Sequence, residues 1–427
     1  MIRTTPELLA ALAASRSARV LELEGGPFAP LNLSKWTGAP AFDGEVVITS
    51  RDSANPATFP AFNMQDGRNV TLQGFRFDYG WKPGDVYYTR PFTFANMENL
   101  KVVGCTFDGD NDGGSDPALK GFPQAIGLRI ERSRNVVVDG NMLKGFFCAA
   151  EFDRNVGLRE TNNEIWDMRG GGLRHGENQN VLIEANHIHD FRRSAADGSH
   201  PDGIQFWTVE NVAPSTDITI RGNVLDIGSG AWFQSIFMRN ERVDMGMASF
   251  EAMAYRNLLI EWNIIKGAHL HGITVGETIG LTVRNNDLRQ KLGGLNPDTA
   301  RYGELIAKPR INVLSKSRDV RIEGNVTEAV IIDETLGKVP PTDWVVVGNK
   351  RPDGAALPNH GSTPAPMPTP EPPPVATPEP APNPALQPAP GPVTEERMNA
   401  IEERLAAAEA RVKRLYSAFG AAFDKLG

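Results

Sequence analysis

NVVVDGNML (residues 135–143), NVLIEANHI (180–188), DITIRGNVL (217–225) and DVRIEGNVT (319–327) are copies of one phrase. Within each copy apolar residues alternate with polar ones, the period-two signature of a short strand with one face buried. Related copies open at Asn69, Asn99, Asn257 and Gly280, with a looser one at Asn155. Neighbouring copies start 20 to 40 residues apart, so the unit is a degenerate repeat carrying inserted loops. Six residues after the opening residue an asparagine recurs: Asn141, Asn186, Asn223, Asn263, Asn286 and Asn325, with Asn162 or Asn163 in the loose copy. Asparagine tolerates the left-handed backbone that a sharp strand-to-strand turn needs. Stacked at the strand spacing of about 4.8 Å, its amide can bond to the copies above and below.

One coil of this kind cannot bury its apolar face alone, whereas a stack of coils creates a continuous core. The expected fold is therefore all-β, a right-handed parallel β-helix over residues 1–350. A β-sandwich or propeller would need regularly spaced Asn-Gly or Asp-Gly hairpins, and the sequence does not supply them. The asparagine ladder and the phrase N-V-x-V-x-G-N resemble the pectate-lyase-like β-helix superfamily, over roughly residues 15 to 350. Leu8 to Gly26 looks like the cap and first coil of that superfamily. The resemblance implies a fold that hosts lyases, hydrolases, epimerases, adhesins and phage tailspikes, and so does not choose an activity. Before it, Thr4 and Glu7 have capping-box spacing, Pro6 suits a first helical turn, and Leu8, Leu9 and Leu12 share a face. Pro6 and Glu7 also interrupt what would be the apolar stretch of an export signal.

Half of the 32 prolines fall between Pro352 and Pro392. Residues 351–393 thus read as an extended, semi-rigid linker. Residues 394–427 read as an amphipathic helix. Met398, Ile401, Leu405, Ala408, Val412, Leu415 and Phe419 keep a 3-4 spacing, and Glu409 and Lys413 form an i,i+4 pair. That pattern predicts a coiled coil making a homo-oligomer, or a helix that anchors the chain to a particle protein. The net charge of −8 argues against nucleic acid as a partner, and no apolar run is long enough for a membrane span. Two cysteines cannot make a disulfide framework, and Cys105 and Cys148 fall where core residues belong.

Candidate chemistry gathers on the strand preceding each phrase, whose outward column reads Arg129, Glu151, Arg174, Gln205, Phe237, Thr274 and Asn312. Six of the seven histidines lie between His175 and His271, and the loop from Phe191 to Pro201 adds Arg192 and Arg193. Ser199-His-Pro-Asp-Gly resembles the N-T-D-G phrase of polygalacturonase-type hydrolases, and the resemblance implies a catalytic role for Asp202. The adjacent Asp-Asp pair of those enzymes has no counterpart here; Glu151 is the candidate second acid. A lyase would instead use His200 or His271 as base and Arg174 to neutralise a uronate carboxylate. Arg129, Glu151 and Arg174 can equally form a ladder of ion pairs. Expected glycan contacts are Arg129, Arg174, His175, Gln205, Arg192, Arg193, Trp207, Gln234 and Arg239, with Trp207 and Trp232 as stacking platforms or core residues. Asp108, Asp110 and Asp112 resemble the start of a calcium loop, although Leu119 stands where the bidentate glutamate belongs; a solvated acidic turn is the alternative.

These readings predict recognition of a cell-surface or capsular polysaccharide. The protein is expected to be a spike or adhesin on the surface of a phage-like particle, phage or gene transfer agent, with or without depolymerase activity. The second reading is a polysaccharide lyase or glycoside hydrolase acting on acidic polysaccharide.

Overall fold

The computed structural model describes residues 1–33, 40–193, 200–292 and 308–361. The chain divides into two units, Met1–Thr363 and Pro364–Gly427. Residues 351–361 of the expected linker turn back on the last coil, Leu357 N–H donating to the Asn349 carbonyl and His360 N–H to that of Val346, while its remainder from residue 362 and the expected terminal coiled coil lie outside the described residues.

The chain starts with the helix Thr5–Ala14. Thr4 Oγ1 accepts the Glu7 N–H at 3.3 Å, and Glu7 Oε2 accepts the Arg3 N–H at 2.7 Å. Leu8 and Leu12 are buried over the end of the core that follows. From there the chain winds in coils. Arg134–Asp139 lies in a first sheet, Met142–Lys144 in a second and Cys148–Asp153 in a third. Repetition builds three sheets of 12, 10 and 11 strands. The ladders between these strands are parallel, and most keep one register from coil to coil, with shifts at His271–Ile273 and at Ala41–Val46. The repeated phrase therefore covers the first-sheet strand, the corner and the second-sheet strand.

The corner differs in one respect from the sequence expectation. The left-handed residue is the one before the ladder asparagine, as at Gly140 (φ 63°), Asn162 (57°), Gly222 (62°) and Trp262 (57°). A second left-handed site opens the phrase, at Asn135 (53°), Asn180 (53°) and Asp217 (56°). Because its neighbour takes the strain, the ladder residue can turn its amide inward. Asn163, not Asn162, is accordingly the ladder member in the loose copy. Asn141, Asn163, Asn186, Asn223, Asn263, Asn286, Asn325 and Asn349 form one buried row, each Nδ2 donating to the next Oδ1 at 2.9–3.0 Å. Each Nδ2 also donates to a first-sheet carbonyl, as Asn223 does to Ile183 O, and each Oδ1 from Asn163 onward accepts a backbone N–H of the coil before. The corner thus leaves no buried amide group without a partner.

Phenylalanines fill the early coils, with Phe77 stacked on Phe107 at 4.5 Å. Further along, Val136, Leu158, Val181, Ile218, Leu258, Leu281 and Val320 follow one another in a single interior column. Two polar residues interrupt this interior. Glu160 occupies a position flanked by Val138 and Ile183, and His175 stacks between Phe152 and Phe206 at 5.4 and 4.4 Å. Both are fully buried, with His175 Nε2 3.6 Å from Glu160 Oε2. Burial pushes the Glu160 carboxyl well above the usual carboxylate range and His175 down to about 3, so the pair is held uncharged. The expectation that His175 contacts substrate is therefore corrected: its alternation parity turns it into the core.

Replacing Asn223 by Ala should orphan the Asn186 N–H and Ile183 carbonyl and lower stability by roughly 1–3 kcal/mol in urea unfolding. The double substitution Glu160→Leu with His175→Phe restores an apolar interior. It should leave stability unchanged or raise it by about 1–4 kcal/mol at neutral pH, measurable as an upward shift of thermal midpoint.

Candidate functional site

The third sheet positions the candidate side chains. Arg129, Glu151, Arg174, Gln205, Phe237, Thr274 and Asn312 are register partners on consecutive coils. Three residues earlier, Cys148, Gly171, Asp202 and Gln234 form a parallel column. This column opens on the same face. A Cβ on Gly171 would lie 3.0 Å from Arg174 Nε, and Asp202 meets the exposed His200. Glycine at 171 thus gives the Arg174 guanidinium room to lie along the sheet.

A groove runs over these columns in two segments, of about 820 and 650 Å³, that share Arg174 and Trp207. One segment is walled by Tyr87, Tyr88, Phe147, Arg90, Arg169 and Glu177, the other by His200, Phe237, Arg239 and Asp244. The Arg174 guanidinium lies 5.0 Å from the Phe147 ring centre and 6.0 Å from that of Trp207. Another depression, about 480 Å³ over the first sheet, is walled by the outer asparagines Asn69, Asn99 and Asn135 together with Lys101 and Arg159.

The groove floor carries buried polar atoms that make no hydrogen bond within the protein. Among the described residues these are Arg174 Nε and Gln205 Oε1, on residues that line the groove; Asp202 Oδ1 and Gln234 Oε1 are likewise unpaired in the neighbouring column. Buried polar groups are almost always paired, so a local concentration of unpaired ones marks a surface prepared for a hydroxylated or charged ligand. Asp202 Oδ2 is 3.2 Å from His200 Nδ1. Burial raises the Asp202 carboxyl above its ordinary range, while His200 and Arg174 draw it back. The bond to Asp202 raises His200. Beside them, Phe237 stands 6.1 Å from the His200 ring and 5.1 Å from His271. Burial takes His271 down to about 4, so it is neutral at physiological pH, with Nδ1 2.8 Å from Thr274 Oγ1.

Several sequence expectations are corrected. Glu151 is clasped by Arg90 at 3.0 Å and Arg129 at 2.9 Å, with Arg174 at 3.8 Å. The register puts it two strands and three residues from Asp202, roughly 14 Å between Cα atoms. Glu151 is therefore a counter-ion that holds arginines in place, not a second acid. Arg192 bonds Asp167, the Gly121 carbonyl and Asn111, closing a loop at a neighbouring corner and not facing the groove. Arg193 is buried over the Trp232 ring at 4.8 Å, and Trp232 also stacks on His269 at 4.4 Å. Both belong to the packing behind the site. Arg239, half-exposed, is held by Asp244 at 2.6 Å on the groove rim.

The three aspartates expected to hold calcium do not converge as one group. Asp108 pairs with Arg76 and Lys144, Asp110 accepts the N–H groups of Trp81 and Asn111, and Asp112 accepts from Gly114 N–H and Gln124 Nε2. The three carboxylates thus hold separate parts of one loop. Sequence reasoning missed Tyr87, Tyr88, Arg90, Phe147 and Arg169. An exposed tyrosine pair inside a loop between coils was the signal that could have found the first two.

The profile described as a right-handed beta helix region matches residues 92–288. No curated protein matches the chain. Among solved structures, the Dettilon tailspike protein (gp208) is similar with a TM-score of 0.53 and 12% identity, covering 84% of this chain. The match spans 63% of the tailspike. PfbA, a surface adhesin of Streptococcus pneumoniae, gives 0.48 and 11%, over 82% of this chain and 90% of PfbA. The PL6 family alginate lyase AlyGC gives 0.40 and 11%, over 83% of this chain and 52% of the lyase. At such identities the likeness is one of fold. The three parallel sheets and the matching profile make the fold of this chain a right-handed parallel β-helix.

Proposed function

We propose that the third-sheet groove binds an acidic polysaccharide, and that the protein acts as a surface-glycan-recognising spike or adhesin. The observation that carries this reading is the pair of unpaired buried polar atoms on Arg174 and Gln205, which line the groove beside the Trp207, Tyr87 and Tyr88 rings. Sugar hydroxyls supply the missing donors and acceptors, a uronate carboxylate suits the Arg174 guanidinium, and Trp207, Tyr87 and Tyr88 offer faces to pyranose rings. The solenoid suits a polymer because equivalent side chains recur on every coil. Display on a phage-like particle, with oligomerisation through the terminal helix, rests on the proline-rich linker and the heptad spacing alone.

A second reading, glycan cleavage, is favoured by one arrangement. His200 is paired with Asp202 next to Arg174, with the neutral His271 beyond Phe237. β-Elimination requires a neutral base near the proton beside a carboxylate that a cation neutralises. His271 meets the first requirement, and Arg239, whose charge acts on His271, is the groove cation for the second. Hydrolysis by paired carboxylates is disfavoured by the arginines that clasp Glu151.

Glycan electrophoresis and calorimetry with a panel of uronate-containing polysaccharides should show binding that weakens about tenfold or more in Trp207→Ala and in Arg174→Ala. Binding that is unchanged in both variants would place the site elsewhere. Following unsaturated-uronate absorbance in the same mixtures separates the two readings: product that disappears in His271→Ala establishes cleavage, and binding without product establishes recognition.

The His200 titration gives an independent check. Its value in the protein is raised above the ordinary ~6.5, so the ring keeps its charge to higher pH than a free histidine. Affinity for an anionic glycan should therefore be full at mildly acidic pH and decline as pH rises through the raised value. The decline should vanish in His200→Gln.

A further inference from the structure

The second sheet carries a cluster that the groove does not use. Glu164 and Trp166, in the strand Glu164–Trp166, are register partners of His187 and His189 in the strand His187–His189. Alternation turns Ile165 and Ile188 into the core and the other four side chains outward. One oxygen of Glu164 and one ring nitrogen from each histidine all lie within 4.8 Å of one another. Among the described residues this is the one group of three His, Cys, Asp or Glu side chains so placed.

The orientation of His189 is fixed from behind. Its Nδ1 lies 2.7 Å from Asp190 Oδ2. An ionised carboxylate only accepts hydrogen bonds, so Nδ1 carries the proton and Nε2 presents its lone pair. Asp190 is itself held through Oδ1 by the N–H and hydroxyl of Ser229, at 2.6 and 2.9 Å. Nε2 is buried without a hydrogen bond and points at Glu164 Oε1, 3.5 Å away. Trp166 lies parallel to the His189 ring at 6.0 Å, and the His187 and His189 rings stack at 4.1 Å. The coils on either side place Met142 next to Glu164 and Val224 next to His187.

We propose that Glu164, His187 and His189 form a site for a divalent transition-metal ion of the zinc type. Two imidazoles and one carboxylate on adjacent strands are a donor set that suits zinc and leaves a fourth position open. Asp190 is the carboxylate behind a ligating histidine, an arrangement that sets tautomer and ring angle before the metal arrives. The competing soft ligands are out of reach, because Cys105 and Cys148 are both buried. The site sits just before the corner at Asp190 and Phe191, from which the chain leads to His200. A bound ion would therefore fasten the strand that delivers the groove's histidine.

The test uses the full chain, stripped with chelator and titrated with Zn2+ by calorimetry. One ion per chain is expected, with Co2+ giving the visible absorption of a low-coordinate nitrogen and oxygen site. Asp190→Asn should weaken zinc by about 10–100-fold, and the pair His187→Ala with His189→Gln should abolish the titration. Metal-free stability should barely change, because these side chains lie outside the core. In the unaltered chain, Zn2+ should protect His187 and His189 from diethyl pyrocarbonate while His200 remains reactive. A stoichiometry far below one, an unchanged titration in the double variant, or equal labelling with and without zinc would overturn the proposal. The cluster would then be a His189–Glu164 ion pair only.

Discussion

A coil of this solenoid turns three corners per circuit, and the polar groups facing inward at a corner can reach partners only in the coils above and below. The buried asparagine row from Asn141 to Asn349 meets that constraint, because one amide both donates and accepts along the stack while reaching a strand carbonyl. Its spacing is the spacing of the strands. Along the row the neighbouring ladders share that register, including the third-sheet columns that form the groove. A one-residue slip in any coil would break the row and turn Arg174 or Gln205 into the core.

The same register explains how charge is managed on the third sheet. Consecutive coils bring Arg129, Glu151 and Arg174 to neighbouring positions, where opposite signs attract and like signs would cost energy. Glu151 spends its carboxylate on Arg90 and Arg129, and Arg174 is left with its Nε unpaired over Asp202. A structural ion-pair lattice at one end of the groove thus shades into an open polar floor at the other. The interior Glu160 and His175 show the opposite outcome. Packed among apolar side chains, both are held neutral by burial.

Much of the fold was legible because the repeat is written in two local codes, alternation and the recurring asparagine. The outward column from Arg129 to Asn312 also followed from alternation alone. The site was less legible. His175 was misplaced because it sits one residue from that column, and a single step of parity separates surface from core. Glu151 could not be ranked as an acid from sequence. Arg90, its partner, is distant in the chain, and the offset between its column and that of Asp202 depends on where each strand begins. The cluster of Glu164, His187 and His189 joins two coils 23 residues apart, a distance the variable loops conceal.

The sequence by itself determined the coil, the alternation of inward and outward residues along most strands, and the helical cap, because these depend on neighbours within a few positions. Tertiary structure alone decided which charges neutralise one another, which acids are isolated and which histidines meet. Those outcomes depend on the lateral register of strands whose connecting loops differ in length. Only stacking converts a residue's place within its coil into a place on a shared surface.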